Sequence, residues 1–187
     1  MDALAALQQR VSIPRLTAPA PDQEQLTQLF KAALRAADHG NMRPWRFLVT
    51  EGDGLIEMGK LFARVAKSNK PEITEVELER FKSMPLRAPM IITCIAKCKE
   101  NPKVPRIEQI ISAGAATQNL INAAFILGLG AVWRTGDLAY DPQIKAGLGL
   151  ESNEEIVGFV YIGTPSVPVH PPREQTPEEF FSKWSHE

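Results

Sequence analysis

The chain has 187 residues, with 21 Lys plus Arg against 22 Asp plus Glu and a formal net charge of −1. At 44% hydrophobic and 23% charged it has a globular composition with enough length to bury a core, which excludes a disordered tail or a disulfide-stapled miniature. Near-neutral charge gives no overall field for nucleic acid or an anionic membrane, so an anionic partner has to be held locally. The length predicts one domain, residues 1–187, with a proline-rich arm from about 164.

Residues 2–10 place Leu4, Leu7 and Val11 at helical spacing and predict a short first helix. They lack a basic start followed by a long apolar run, so no secretory signal is expected. Pro21-Asp22 precedes a second helix over 23–37, with Leu26, Leu29, Phe30, Ala33, Leu34 and Ala37 on one face, Arg35 off it and Gly40 as its stop. A strand over 45–50 is closed by a Gly52-Asp53-Gly54 turn, and residues 55–66 and 72–84 read as surface helices. Residues 89–96 predict a buried strand. Cys94 and Cys98 lie about 13 Å apart along such a segment, too far for a disulfide, and a reducing, cytoplasmic setting is expected.

Residues 109–133 carry no charge, a run long enough in principle to span a bilayer. Ser112, Thr117, Gln118, Asn119 and Asn122 interrupt it, and Gly128-Leu129-Gly130 breaks a helix, so a central helix buried in protein is expected instead. Its Ala113, Gly114, Ala115 and Ala116 would admit a close helical neighbour from this chain or from a second subunit. Strands follow at 129–133 and 155–162, with a short helix at 142–147 between them. Pro165, Pro168, Pro171, Pro172 and Pro177 then favour an extended arm, lying either on its own domain or along a partner.

There is no Gly-x-Gly-x-x-Gly opening a helix, no Gly-x-x-x-x-Gly-Lys-Ser/Thr loop and no Gly-x-Ser-x-Gly elbow, so dinucleotide-fold, P-loop and hydrolase readings lose their usual support. His39, His170 and His186 are far apart, with no His-x-x-x-His or Cys-x-x-Cys pair, and no metal site is expected. Asp38-His39 does not make a triad, since adjacent side chains point in different directions and nothing local supplies a nucleophile.

Three arginine clusters stand at the ends of predicted elements. Arg10-Val11-Ser12 joins a guanidinium, a hydroxyl and free N–H groups, which suits a phosphate and equally suits a helix C-terminus. Residues 35–45 crowd Arg35, His39, Arg43 and Trp45 into a helix end and loop, where Arg35 and His39 can share one side; a capped helix end with Trp45 in the core is the alternative. Trp133-Arg134-Thr135-Gly136 stands where a buried strand emerges into a loop, the place where open sheets hold ligands, and Gly136 allows close backbone approach.

In this order and spacing the clusters resemble the nitroreductase superfamily of FMN enzymes, and within it the small YdjA-like NAD(P)H nitroreductases. The resemblance covers nearly the whole chain. It rests on a Met1-Asp-Ala-Leu4 helix ending in Arg10-x-Ser12, on Arg-Ala-x-Asp-His-x-x-Met-x-Pro-Trp at 35–45 and on Arg87-Ala-Pro-x-Ile-Ile92. Lys103-Val-Pro-Arg106 with Glu108-Gln109, Ser112-Ala-Gly114, Trp133-Arg-x-Gly136, Gly158-Phe and Gly163-Thr-Pro165 complete it. It implies an α+β fold with a central mixed sheet flanked by helices, and a homodimer holding FMN at the subunit interface. Arg10, Val11 and Ser12 would hold the phosphate and ribityl end, together with Trp133, Arg134 and Thr135. Arg35 and His39 match flavin-contacting positions that the opposite chain can supply. Val11 stands where the family usually has a second arginine, which removes one charge near the flavin.

The implied chemistry passes hydride from NAD(P)H through flavin N5 to a nitroaromatic, quinone or similar electrophile by a ping-pong route, with no protein acid or base required. The same site would serve dehalogenation, dehydrogenation or flavin sequestration. Lys103 and Arg106 either attract a 2′-phosphate or belong to a solvated loop.

Overall fold

The computed structural model describes residues 2–185; Met1 of the N-terminal motif and His186 lie outside them. In chain order the elements are α1 (Ala3–Gln9), β1 (Leu16–Thr17), α2 (Gln23–Ala33), β2 (Trp45–Glu51), α3 (Asp53–Asn69) and α4 (Glu75–Ser83). They continue with β3 (Met90–Lys97), α5 (Arg106–Ile126), β4 (Gly130–Arg134), α6 (Asp137–Tyr140), α7 (Pro142–Gly147) and β5 (Glu154–Pro165). The expected buried strand is β3, whose residues are buried from Met90 through Ala96 because helices cover both faces. Met90, Ile92 and Cys94 pack with Leu29 and Ala33 of α2 and Leu120 and Ala124 of α5. Ile91 packs on the other side with Leu55, Met58 and Phe62 of α3.

β5 is the hub of the sheet. It pairs antiparallel with β3 (Met90↔Ile162 to Lys97↔Glu154), with β4 (Gly130↔Gly163 to Arg134↔Phe159) and with β1 (Leu16↔Pro165), while β2 pairs antiparallel with β3. The α+β layering is as expected, but every ladder among the described residues is antiparallel where a mixed sheet was expected. The cause is topological. β3 and β4 do run parallel to each other, joined through α5, yet β5 inserts between them and takes the hydrogen bonds of both. Between β2 and β3, α3 and α4 run out and back, so β3 starts beside the residue where β2 ends (Glu51↔Met90).

α2 opens with a capping box, Asp22 accepting from the Gln25 N–H at 2.8 Å while Gln25 accepts from the Asp22 N–H at 3.0 Å. It stops at Ala33 rather than residue 37, and Gly40 is not its stop. The Asp38 carboxylate accepts from the N–H groups of Met42 (3.1 Å) and Arg43 (2.7 Å), clamping a loop in which Gly40, Asn41 and Arg43 have φ of 68°, 52° and 46°. A carboxylate committed to backbone beyond it opposes helix continuation. Leu34, expected on the apolar face, is consequently 54% exposed. Gly52, at φ 54°, caps α3 directly, so the expected turn is the helix start.

α5 takes the charge-free run up to Ile126, and no helix of the described residues is long and apolar enough to cross a membrane. Ala113 and Ala116 are buried, whereas Gly114 and Ala115 remain half-buried. Cys94 and Cys98 are buried free thiols, and burial pushes the Cys94 thiol up to about 12. At the far end of β5 the Glu154 side chain is fully buried, receiving Arg46 Nε on Oε1 (2.9 Å) and an Arg46 Nη on Oε2 (2.6 Å). Beyond β5 the Ser166 N–H donates to the Arg15 carbonyl at 3.0 Å, and the chain then runs exposed with a 3-10 turn at Pro177–Glu179.

Candidate functional site

Strand alternation sends Trp133 and Arg134, the last two residues of β4, to opposite faces of the sheet. Trp133 is seated by an irregularity in β5. The β3–β5 register shifts between Cys94 and Ile95, whose partners are Gly158 and Ile156, leaving Val157 as an extra residue. The freed Val157 carbonyl accepts the Trp133 Nε1–H at 3.1 Å. Gly158 leaves the room that the indole fills, since a Cβ there would collide with Nε1. The outer edge of the ring reaches Gly114 of α5. Bulge, glycine and helix together fix the end of β4.

On the opposite face Arg134 is in register with Phe159 and diagonal to Tyr161, its guanidinium carbon 5.7 Å from the Tyr161 ring centroid. Arg134 Nε is buried and has no hydrogen-bond partner among the described residues. A buried donor in that state costs about 1–3 kcal/mol, which marks a place for an acceptor from outside the chain. Burial pushes the Tyr161 hydroxyl up, against the opposing charges of Arg134 and Arg87, so it stays neutral at physiological pH. Thr135 is exposed, and Gly136 at φ 75° turns the chain into α6. Trp133 to Gly136 form one wall of a cavity of about 760 Å³, faced by α3 and α4 with Phe62, Val65, Arg80 and Phe81 and bordered by Arg87.

The first cluster lies beside the same strand. The Ile13 N–H donates to the Ala131 carbonyl at 2.9 Å, which ties the segment following Arg10, Val11 and Ser12 to the start of β4, although none of the three lines the cavity beside Arg134. Arg10 and Val11 are half-buried and Ser12 is exposed. The second cluster does not join them within one chain. Arg35 lines a separate surface cavity with Asp38, Arg43 and Trp45. His39 opens a 3-10 turn (His39–Asn41), with Nδ1 2.5 Å from Glu108 Oε2 in the first turn of α5. Because α2 ends at Ala33, Arg35 and His39 do not share a helix side as expected. Asp38 and His39 are bonded to different partners, which leaves no triad geometry. Arg106 is the first residue of α5 rather than part of the loop and pairs with Glu155 at 2.5 Å, while Lys103 is exposed in the loop before it.

Sequence reasoning assigned no role to Tyr161 and Arg80, which line the cavity, or to Glu108, which pairs with His39. The signal for Tyr161 was present, because Phe159 and Tyr161 alternate onto one face of a strand whose neighbour carries Arg134. Glu108 and Arg80 read as ordinary helix-surface charges.

The nitroreductase family model matches residues 7–164. The chain is 41% identical over 167 residues to the Escherichia coli (strain K12) protein named "Putative NAD(P)H nitroreductase YdjA", covering 89% of this chain and 90% of that protein. A crystal structure of a nitroreductase-like family protein from Bacillus cereus superposes with a TM-score of 0.83 at 23% identity, over 98% of this chain and 96% of that one. A Desulfovibrio desulfuricans protein solved in complex with FMN gives 0.74 at 25% identity, over 97% and 96%. The chain belongs to the nitroreductase family.

Proposed function

We propose that this protein is an FMN-dependent NAD(P)H oxidoreductase of the nitroreductase type, a single domain that works as a homodimer with FMN between the subunits. The observation that carries the proposal is Arg134, a cation with a buried, unpartnered Nε at the end of a strand whose start is tied, through the Ile13 N–H, to the segment carrying Arg10 and Ser12. Arginines and a hydroxyl carried beside one strand, next to an apolar cavity, suit a ligand with a phosphate and a flat ring. When bound, FMN supplies hydride transfer at N5, from NAD(P)H and then to a nitroaromatic, quinone or similar electrophile.

What the chain's own residues do is bind and orient. Arg10 and Ser12, with the Val11 backbone, hold the phosphate and ribityl end, and the fixed Trp133 ring keeps the β4 end rigid. Arg134 and Thr135 would hold the phosphate and ribityl end together with Arg10 and Ser12, and Gly136 would let the backbone approach the cofactor. Arg35 and His39, which do not line the cavity, serve the flavin of the opposite subunit. Glu108 fixes the His39 imidazole through Nδ1 and leaves Nε2 for another partner. The exposed Ile107 and Ile111 with half-buried Gly114 and Ala115 give α5 an apolar strip for the second copy. The proline-rich arm, carrying exposed Phe180 and Phe181, lies along that copy.

The absorption spectrum of the purified protein tests the proposal. Flavin bands that bleach anaerobically with NADPH are expected. Arg10→Ala and Arg134→Gln should each weaken FMN retention by about 10- to 100-fold, a charge-assisted contact being worth about 1.5–3 kcal/mol. A colourless protein that takes up no FMN, or two variants that retain it unchanged, would overturn the assignment. Val11, in the place of a second arginine, favours the alternative of flavin sequestration, which a flavin that stays oxidised under NADPH would select.

A further inference from the structure

We infer that the cavity facing Arg134 takes electron acceptors carrying an anionic group on an aromatic ring, of which a nitrobenzoate is the simplest, and that Arg80 and Arg87 are the residues that select them. The inference rests on the flavin-enzyme reading for its kinetic consequence, but its binding consequence stands without it.

The charges around the cavity sort themselves by what already occupies them. Lys70 is paired with Glu77 at 3.0 Å, and Glu77 also caps α4 by accepting from the Thr74 N–H at 2.9 Å. Asp141 accepts from Asn69 Nδ2 at 2.6 Å and from the N–H groups of Gln143 and Ile144 at 2.7 and 3.3 Å, which closes the start of α7. Arg80, Arg87 and Arg134 have no ion pair among the described residues. With Arg134 assigned to FMN in the loaded protein, Arg80 and Arg87 stand against Asp137, exposed in the first turn of α6. The uncommitted charge of the cavity is therefore positive, although the chain as a whole is nearly neutral.

The cations surround aromatic walls. Phe62 and Phe159 meet edge to face, with ring centroids 5.6 Å apart, and Phe81 and Tyr161 extend that surface. Arg87 lies near enough for its charge to act on the same buried Tyr161 that Arg134 covers. A flat ring fits among these side chains, and a carboxylate on it meets guanidinium forks whose geometry matches its two oxygens. A neutral ring keeps the apolar contact and loses the forks. Because Arg80 and Arg87 are solvent-exposed, the preference is expected at about tenfold rather than thousands.

Isothermal titration of the FMN-loaded protein with benzoate and with benzamide reads the binding without turnover. The ratio of kcat/KM for 4-nitrobenzoate to that for 4-nitrobenzamide reads its consequence. Benzoate should bind about tenfold more tightly than benzamide, the kinetic ratio should be about ten, and both preferences should fall toward one in the Arg80→Gln/Arg87→Gln double variant. Arg64→Gln, on a part of α3 outside the cavity, should keep both. Equal affinity for the two probes, or a preference that survives the double variant, would overturn the inference. So would a double variant whose only change is a raised KM for NADPH, since that assigns the arginines to the donor's phosphates. A protein that takes up no FMN yet discriminates benzoate from benzamide would sink the functional proposal alone. One that reduces both nitro compounds equally well would sink this inference alone.

Discussion

Toward α2 and α5, the sheet buries Met90, Ile92 and Cys94 against Leu29, Leu120 and Ala124, and Trp133 closes the end of that layer against Gly114. Toward α3 and α4, Ile91, Phe62 and Phe159 are equally dry, but past the end of β4 the layer opens into the cavity bordered by Arg80, Arg87 and Arg134. The same strands build both faces, so the difference comes from the helices. α5 carries Ala113, Ala116 and Ala124 inward and settles close to the sheet, whereas α4 is short and charged and buries only Leu78. A closed face and an open one follow from side-chain size and charge on the covering layer.

Truncation on the closed face should have the largest effect. Leu120 is fully buried, and Leu120→Ala is expected to cost about 3–4 kcal/mol in urea unfolding, transfer and cavity contributions together. Phe81→Ala, on the half-buried border of the open face, should cost clearly less despite removing more atoms. Equal losses would mean that the two faces are packed alike and that the comparison is wrong.

Next comes the ion pair that ties β2 to β5. Arg46→Ala leaves the buried Glu154 carboxylate with Lys97 at 3.7 Å as its remaining cation and should cost about 3 kcal/mol near pH 7. Hydrogen bonding to Arg46 holds the Glu154 carboxyl at about 2, against an ordinary 4.5. The folded protein therefore keeps this group ionised under conditions where the unfolded chain binds a proton. The stabilisation is complete above about pH 4.5 and is lost as pH falls toward 2. Urea titrations across that window should show a shallower acid limb for the variant than for the parent, and parallel limbs would remove Glu154 as the cause.

How far such features were legible in the sequence depends on where the deciding residue sits. β3 and α5 could be read because composition within the element, apolar throughout or charge-free with small residues, sets their burial. The end of α2 could not, because Asp38 decides it by bonding forward to Met42 and Arg43, a choice that helical periodicity does not encode. The all-antiparallel pairing depends on β5, the last strand, inserting between two that precede it. At the site, Arg134 was visible from its place before Gly136 at a strand end. Tyr161 reads as an ordinary core residue until the β4–β5 register sets it beside that guanidinium, and Arg80 reads as solvated helix surface until the cavity is seen behind it.

Gly158 bears on both faces at once, since the ring it admits belongs to the closed layer while the residue that follows that ring enters the open one. Gly158→Ala should cost about 2 kcal/mol through overpacking. It should also shift the tryptophan fluorescence of the folded protein by displacing Trp133 from the Val157 carbonyl. Stability lost with an unshifted spectrum would place the strain elsewhere and leave Trp133 without its seat.

The smallest effect expected is at Tyr161. Its ring lies under Arg134 at a distance where a cation–π contact is worth about 0.5–1 kcal/mol, a contact made by the ring and not the hydroxyl. Tyr161→Phe keeps the ring and should leave FMN retention close to that of the parent, while Tyr161→Leu removes it and should weaken retention about two- to fivefold. Competitive titration of the apoprotein with FMN separates the two substitutions more cleanly than activity, because both conserve an apolar side chain against Phe62 and Phe159. If Leu retains flavin as well as Phe does, Arg134 is held by burial alone, and the open face owes its cation to shape rather than to the aromatic surface beneath it.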